Sequence, residues 1–473
     1  MSFFTLSFAA FFSCVFFLWW FAPVKYRPLV LALVNFGFAF SLGARVAVLL
    51  VAITAIGWLA GKYLAKKPTR AGVWISTILL LLPLAGYKYL PLLSEHFAWA
   101  GMFAKLLAPL GLSFYTFKSL SYIIDVYKGK QQPVQDAASY FAYIGFFPQL
   151  AMGPIQRPQP FFTALDQISQ KLNEKLAYSG CTRICWALFL KKCLADPLAG
   201  YQGALVSPER YYPLSMLWSL LIYSLYLYFD FAAYSQLAIG LGELLGLPCA
   251  ENFRSPYYAT SLGDFWHRWH ISLSSFLREY VYFPLGGSRN GIRLLIVSTM
   301  GTFLLSGVWH GATSGFLVWG ALHGVCLLIG RATYKSREWF WSKTPRLVAG
   351  PIRHVCGWAF TMLLVVTGWF FFYAGTIPQA AELARQMFVP MPLSMQYIKE
   401  SIVLLGFTPQ ILLLRGSAFV IAALVDWLCR KEGFGAWSAG LRPWVRVVFC
   451  YLCVFSVLFW GEGASLPGVY FAF

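Results

Sequence analysis

Three of the six histidines in this chain fall between residues 264 and 311, and imidazole is the side chain that exchanges a proton most readily near neutral pH. His310 sits in the string Ser306-Gly307-Val308-Trp309-His310-Gly311, after an apolar run at 294–305 that reads as a membrane helix. An ionisable group there is costly to hold in lipid, so its default reading is functional. A neutral imidazole at that point could take the proton of an attacking hydroxyl. Ser306 lies one helical turn earlier, which also allows a nucleophile–base pair. His267 and His270 stand three residues apart, on one face if their segment is helical. No carboxylate or cysteine pattern completes a metal site around them, so no metal is expected. Asp264, Arg268, Arg278 and Glu279 alternate with aromatic rings in the same block. Such a stretch is too polar for a lipid-facing span and too apolar for a solvated loop. It suits a re-entrant segment lining a cavity enclosed by protein.

Membrane helices must position these side chains. Hydrophobic residues make up 59% of the chain and charged residues 12%, about half the charge of a soluble domain, with mean hydropathy +0.63. Apolar windows of helix-spanning length recur throughout, without the short alternating segments of a β-barrel. The expectation is an all-α polytopic membrane protein of roughly 11–13 transmembrane helices, a single membrane domain over 1–473 without an appended soluble domain. The first run, 3–22, lacks a basic flank and a cleavage site and reads as a retained span. Among the others, spans are expected at 138–152, 178–200, 212–229 and 231–247. Surface helices are expected at 162–177 and 376–401, and His96 and His354 in connections.

The formal charge of +19 is concentrated in short connections, at 25–27, 62–70 and 331–353. That pattern places those connections in the cytoplasm and Met1 outside. A basic cytoplasmic face would attract a polyanionic nucleotide carrier, whereas no separate basic module suggests nucleic acid. The ten cysteines are scattered, mostly in apolar runs, and read as packing residues. Lys118, Asp125 and Asp230 interrupt apolar sequence, and Phe147-Pro148-Gln149-Leu150-Ala151-Met152-Gly153-Pro154 breaks a helix where only protein could satisfy its backbone. On composition alone, buried His, Asp and Lys fit a transporter relay equally well.

Longer strings decide between these classes. Asp264-Phe265-Trp266-x-Arg268-Trp269-His270-Ile271-Ser272-Leu273-Ser274, Pro284-Leu285-Gly286-Gly287, Trp309-His310-Gly311 and Trp319-Gly320-Ala321-Leu322-His323-Gly324 together resemble the membrane-bound O-acyltransferase family. The likeness is greatest to its bacterial alginate and peptidoglycan O-acetyltransferase branch and covers 109–330 most specifically. The resemblance implies re-entrant segments around a central tunnel and an inner-membrane acyl-CoA-dependent O-acetyltransferase. His310 would be the catalytic histidine, and His270 would bind, orient or polarise the acyl donor. Asp264, Arg268, Trp309 and Arg278 would serve the donor site, with His323 in support. The donor implied is cytoplasmic acetyl-CoA. A separate periplasmic or membrane-anchored transferase would place the acetyl on an extracytoplasmic polysaccharide. Direct transfer without an acyl-serine is the favoured route. Acylation of a teichoic acid, a lipid or a protein remains the alternative within the family.

Overall fold

A computed structural model describes residues 3–93, 97, 108–289, 291–311, 313–343, 346–392 and 394–462. Glu95, His96 and the aromatic stretch 467–473 lie outside them. Every regular element among the described residues is helical. Eight of these helices are long and apolar enough to cross a membrane: Ala44–Lys66, Arg70–Pro91, Pro213–Leu244, Ile292–His310, Ser314–Ala332, Gly350–Ala374, Pro409–Cys429 and Pro443–Trp460. Leu6–Phe21 is apolar but shorter. The all-α, membrane-spanning expectation holds, since in lipid a helix satisfies its own backbone.

Several boundaries differ, each for a visible reason. The two spans expected at 212–229 and 231–247 are one 32-residue helix, Pro213–Leu244. Asp230 does not break it, because Lys191 Nζ lies 2.7 Å from its carboxylate and 2.8 Å from that of Asp196. Lys191 belongs to a π-helical turn, Leu190–Ala195, at the end of the helix Glu174–Phe189. A charge neutralised sideways by a neighbouring helix lets the backbone run on. The surface helix expected at 162–177 is split: Pro158–Asp166 ends, and Asn173 caps a new start at Glu174 by accepting from the Leu176 amide. Likewise 376–401 forms two helices, Ile377–Met387 and Met395–Val403, capped by Thr376 and Ser394 on either side of Pro390 and Pro392. His354 lies within the helix Arg346–Ala374, exposed, not in a connection.

The span expected at 138–152 is instead a short helix, Ala137–Ile144, followed by a 3₁₀ turn, Phe147–Gln149, and an irregular segment up to Arg157. Other segments satisfy its polar groups. Asn35 accepts from the Phe147 amide at 3.0 Å, and Lys118 Nζ donates to Gln149 at 3.1 Å. The Tyr143 hydroxyl donates to the Gln156 carbonyl at 2.8 Å, and Ser272 accepts from the Ile155 amide at 3.0 Å. Irregular backbone is tolerated there because protein supplies the partners.

The helices Ile292–His310 and Ser314–Ala332 form a tight hairpin. A Cβ at Gly307 would lie 2.4 Å from the Phe316 carbonyl oxygen, and one at Gly320 would lie 2.4 Å from that of Phe303. Without these two glycines the backbones could not approach so closely.

Candidate active site

His310 is the last residue of its helix, and the terminal carbonyls there are taken up in several ways. The Gly311 amide donates to the Gly307 carbonyl, and the Tyr89 hydroxyl donates to that of Val308 at 2.8 Å. Lys88 donates to the Trp309 carbonyl. Lys88 and Tyr89 belong to the span Arg70–Pro91. The sequence reading passed over this pair, although a lysine near the end of an apolar span was the signal that could have found it.

The His310 ring is boxed by aromatic faces and edges. It stands 4.6 Å from Trp309, 5.1 Å from Trp319 and 5.1 Å from Phe372, all at steep angles. Trp309 is shared, since the His270 ring lies 6.4 Å from the same indole. One tryptophan therefore links the two histidines.

His270 is held by its backbone as well as its side chain. The helix Leu262–Arg268 ends two residues earlier, and His270 adopts φ +43°, a left-handed conformation rare for a residue with a β-carbon. His267 and His270 therefore do not share a helical face, contrary to the spacing argument. His267 is exposed and its Nδ1 contacts the Gly263 carbonyl, while His270 is buried.

Asn252 fixes the His270 tautomer. Its Oδ1 accepts from the Ser272 amide, which can only donate, and its Nδ2 donates to Ser235 Oγ at 2.9 Å. The amide oxygen therefore faces His270 Nδ1, 3.0 Å away, and that nitrogen must carry the proton. In the neutral ring His270 Nε2 presents a lone pair, and it is buried without a hydrogen-bond partner. The Nε1–H groups of Trp266, Trp309 and Trp319 are also buried and unpaired. Orphaned donors and acceptors crowded around two histidines are what a reacting carbonyl or hydroxyl could satisfy.

A cavity of about 780 Å³ approaches this centre from one side. Exposed Arg278, Arg331 and Arg337 and His267 lie among its walls, together with apolar residues, Thr302, Phe303, Trp266 and buried Ser306, while His310 and His270 themselves do not line it. Ser306 is one turn before His310, and the Trp266 ring packs 5.7 Å from Trp319, which touches His310. Asp264 and Arg268 do not line it. They pair with each other at 2.8 Å, and Arg268 donates to the Arg430 carbonyl, tying the block to the end of Pro409–Cys429. His323 is buried between Trp319 and Trp266, each 5.1 Å away, with neither ring nitrogen hydrogen-bonded. Among the described residues no group of three or more His, Cys, Asp or Glu is arranged to hold a metal ion.

The site falls inside a match to the family model of the membrane-bound O-acyltransferases, which spans residues 133–374. A probable alginate O-acetylase of Pseudomonas fluorescens is 35% identical over 385 residues, covering 78% of this chain and 72% of that protein. The corresponding protein of Pseudomonas aeruginosa is 39% identical over 289 residues, 60% of this chain and about half (52%) of its own length. A peptidoglycan O-acetyltransferase of Helicobacter pylori is 32% identical over 331 residues, 64% of this chain and 61% of that protein. Matched over more than half its length by the family model, and by a relative of which it covers nearly three quarters, this chain is an acyltransferase of the membrane-bound O-acyltransferase family.

Proposed function

We propose that the protein takes acetyl from acetyl-CoA on its basic, cytoplasmic side and delivers it through the membrane for O-acetylation of an extracytoplasmic polysaccharide of alginate or peptidoglycan type. The cavity carries this reading: Arg278, Arg331 and Arg337 stand among its walls, and so does Ser306, one turn before His310. Guanidinium groups suit the phosphates of a nucleotide carrier, and the apolar lining residues suit a pantetheine arm and its thioester. The similarity to enzymes named for alginate and peptidoglycan acetylation supports the polysaccharide.

In this reading His310 is the base. It accepts the proton of the acceptor hydroxyl as that oxygen attacks the thioester carbonyl carbon. Collapse breaks the carbon–sulfur bond, and the imidazolium returns the proton to the departing thiolate. The oxyanion needs donors, and the unpaired indole N–H groups of Trp309 and Trp319, whose rings touch His310, are candidates. A neutral His270 offers Nε2 as an acceptor only, which suits orienting a hydroxyl better than polarising a carbonyl. The aromatic box excludes water that would hydrolyse the thioester. The acceptor is a hydroxyl of a separate periplasmic or membrane-anchored transferase, which completes transfer to the glycan.

Sidedness tests this. In proteoliposomes of uniform orientation, acetyl-CoA added on the side bearing Arg278, Arg331 and Arg337 should release free coenzyme A when the acceptor protein is on the other side. Turnover with donor and acceptor confined to one side would contradict delivery across the membrane.

A further inference from the structure

Arg278 opens a π-helical turn, Arg278–Tyr282, between the helix Ile271–Leu277 and the glycine turn at 286–287. Arg278, Tyr282 and Phe283 face the cavity. Glu279 and Tyr280, between them, are turned to other elements and heavily tied. Glu279 meets Lys130 at 2.7 Å and Arg157 at 3.4 Å, while the Tyr280 hydroxyl donates to Asp125 at 2.9 Å. The Arg157 guanidinium lies 4.6 Å from the Tyr280 ring and 5.3 Å from that of Phe276. Phe276 then stacks on Phe117 at 4.5 Å with planes 4° apart, and Phe117 stacks on Trp309 at 5.5 Å. The ion cluster is thus continuous, ring by ring, with the tryptophan that His310 and His270 share.

A π-turn stacks its extra residue poorly, so it needs outside contacts to stay wound, and such turns recur at functional sites. Burial would raise the Glu279 carboxyl, but the hydrogen bond from Lys130 and the charge of Arg157 outweigh it and hold the group below its usual range. The carboxylate is therefore charged, and its bonds to both cations charge-assisted, at any neutral pH.

We infer that Glu279, Tyr280 and Arg157 form a positioning clamp for the acyl donor: by fixing the π-turn they aim Arg278 into the cavity. The inference rests on the placement of the donor proposed above. The clamp residues are positioning residues, since none of them lines the cavity.

Steady-state kinetics with a double-mutant cycle tests it. Arg278→Ala should raise KM for acetyl-CoA about tenfold, the order of one charge-assisted contact. Glu279→Gln should raise that KM by a similar factor with kcat within about twofold, and should add nothing in the Arg278→Ala background. Tyr280→Phe removes only the hydroxyl bonded to Asp125 and keeps the ring, so it should shift KM the same way if Glu279→Gln does not fold. Multiplicative effects of Glu279→Gln and Arg278→Ala, or a loss confined to kcat, would overturn the clamp while leaving the donor site standing. An unchanged KM in Arg278→Ala would instead overturn the placement of the donor, and the clamp with it.

Discussion

The proposed base at the end of a membrane helix needs a fixed partner ring and a dry surround, and the packing around His310 and the bonding of His270 are suited to both. The Asn252 amide is oriented by Ser235 and the Ser272 backbone before it meets His270, so the tautomer is set by the fold. Asn252→Ala should therefore cost about tenfold to a hundredfold in kcat with little change in acetyl-CoA KM, because it frees a ring without touching the donor mouth. Trp309→Phe keeps an aromatic ring against Phe117 and deletes the unpaired N–H along with part of the indole. If that N–H meets the oxyanion, kcat should fall about a hundredfold, and an unchanged kcat would place the donor elsewhere. Of these residues, His310 stands out in sequence as an ionisable side chain after an apolar run, whereas His270 and Trp309 stand out through the strings that resemble the family. Asn252 precedes that block and has no role visible in the sequence, because what it does depends on where its two amide ends point. Lys88 and Tyr89 were hidden for a different reason: they meet the His310 helix from more than two hundred residues away in sequence.

At the scale of elements, the sequence pattern identified helices well and their ends less well. Asp230 looked like a break because an isolated carboxylate would be one, and only the approach of Lys191 shows why the helix continues. Asp230→Ala should leave Lys191 and its neighbours badly matched and lower stability by about 3 kcal/mol, read as a drop in the thermal midpoint of the detergent-solubilised protein. The opposite error occurred at 138–152, where an apolar run suggested a span. Pro148 and the glycines there interrupt it, and Asn35, Tyr143 and Ser272 hold the interrupted chain. The hairpin around His310 gives a sharper test. Gly307→Ala would force a methyl onto the Phe316 carbonyl, a backbone atom that can yield only if the helices part. It should lower stability by about 1–3 kcal/mol and displace His310, with activity lost more steeply than the thermal midpoint.

For the whole molecule, charge and chain direction agree. The helices Ala44–Lys66, Arg70–Leu93, Ile292–His310 and Ser314–Ala332 carry Lys66, Arg70, Arg293 and Arg331 at one set of ends, against Arg45 and Lys88 towards the other. The other ends of Arg70–Leu93 and Ile292–His310 meet where Lys88 holds the Trp309 carbonyl. In the proposed orientation, which follows the positive-inside rule, the arginine-lined cavity faces the cytoplasm and the His310 end lies beyond it. In a background without native cysteines, Lys67→Cys should react with a membrane-impermeant maleimide only from the cytoplasmic side, and Arg385→Cys only from outside. The reverse pattern would invert the direction of delivery.

The most direct test of the central claim is acetyl-CoA turnover in lipid nanodiscs, with the acceptor protein present, followed as free coenzyme A. Wild type, His310→Ala and Ser306→Ala would be compared after confirming equal thermal midpoints. Direct, histidine-assisted transfer predicts that His310→Ala abolishes turnover while Ser306→Ala keeps most of it. Equal loss in both would point to an acyl-serine intermediate, and full turnover in His310→Ala would contradict the assignment of His310 as the base.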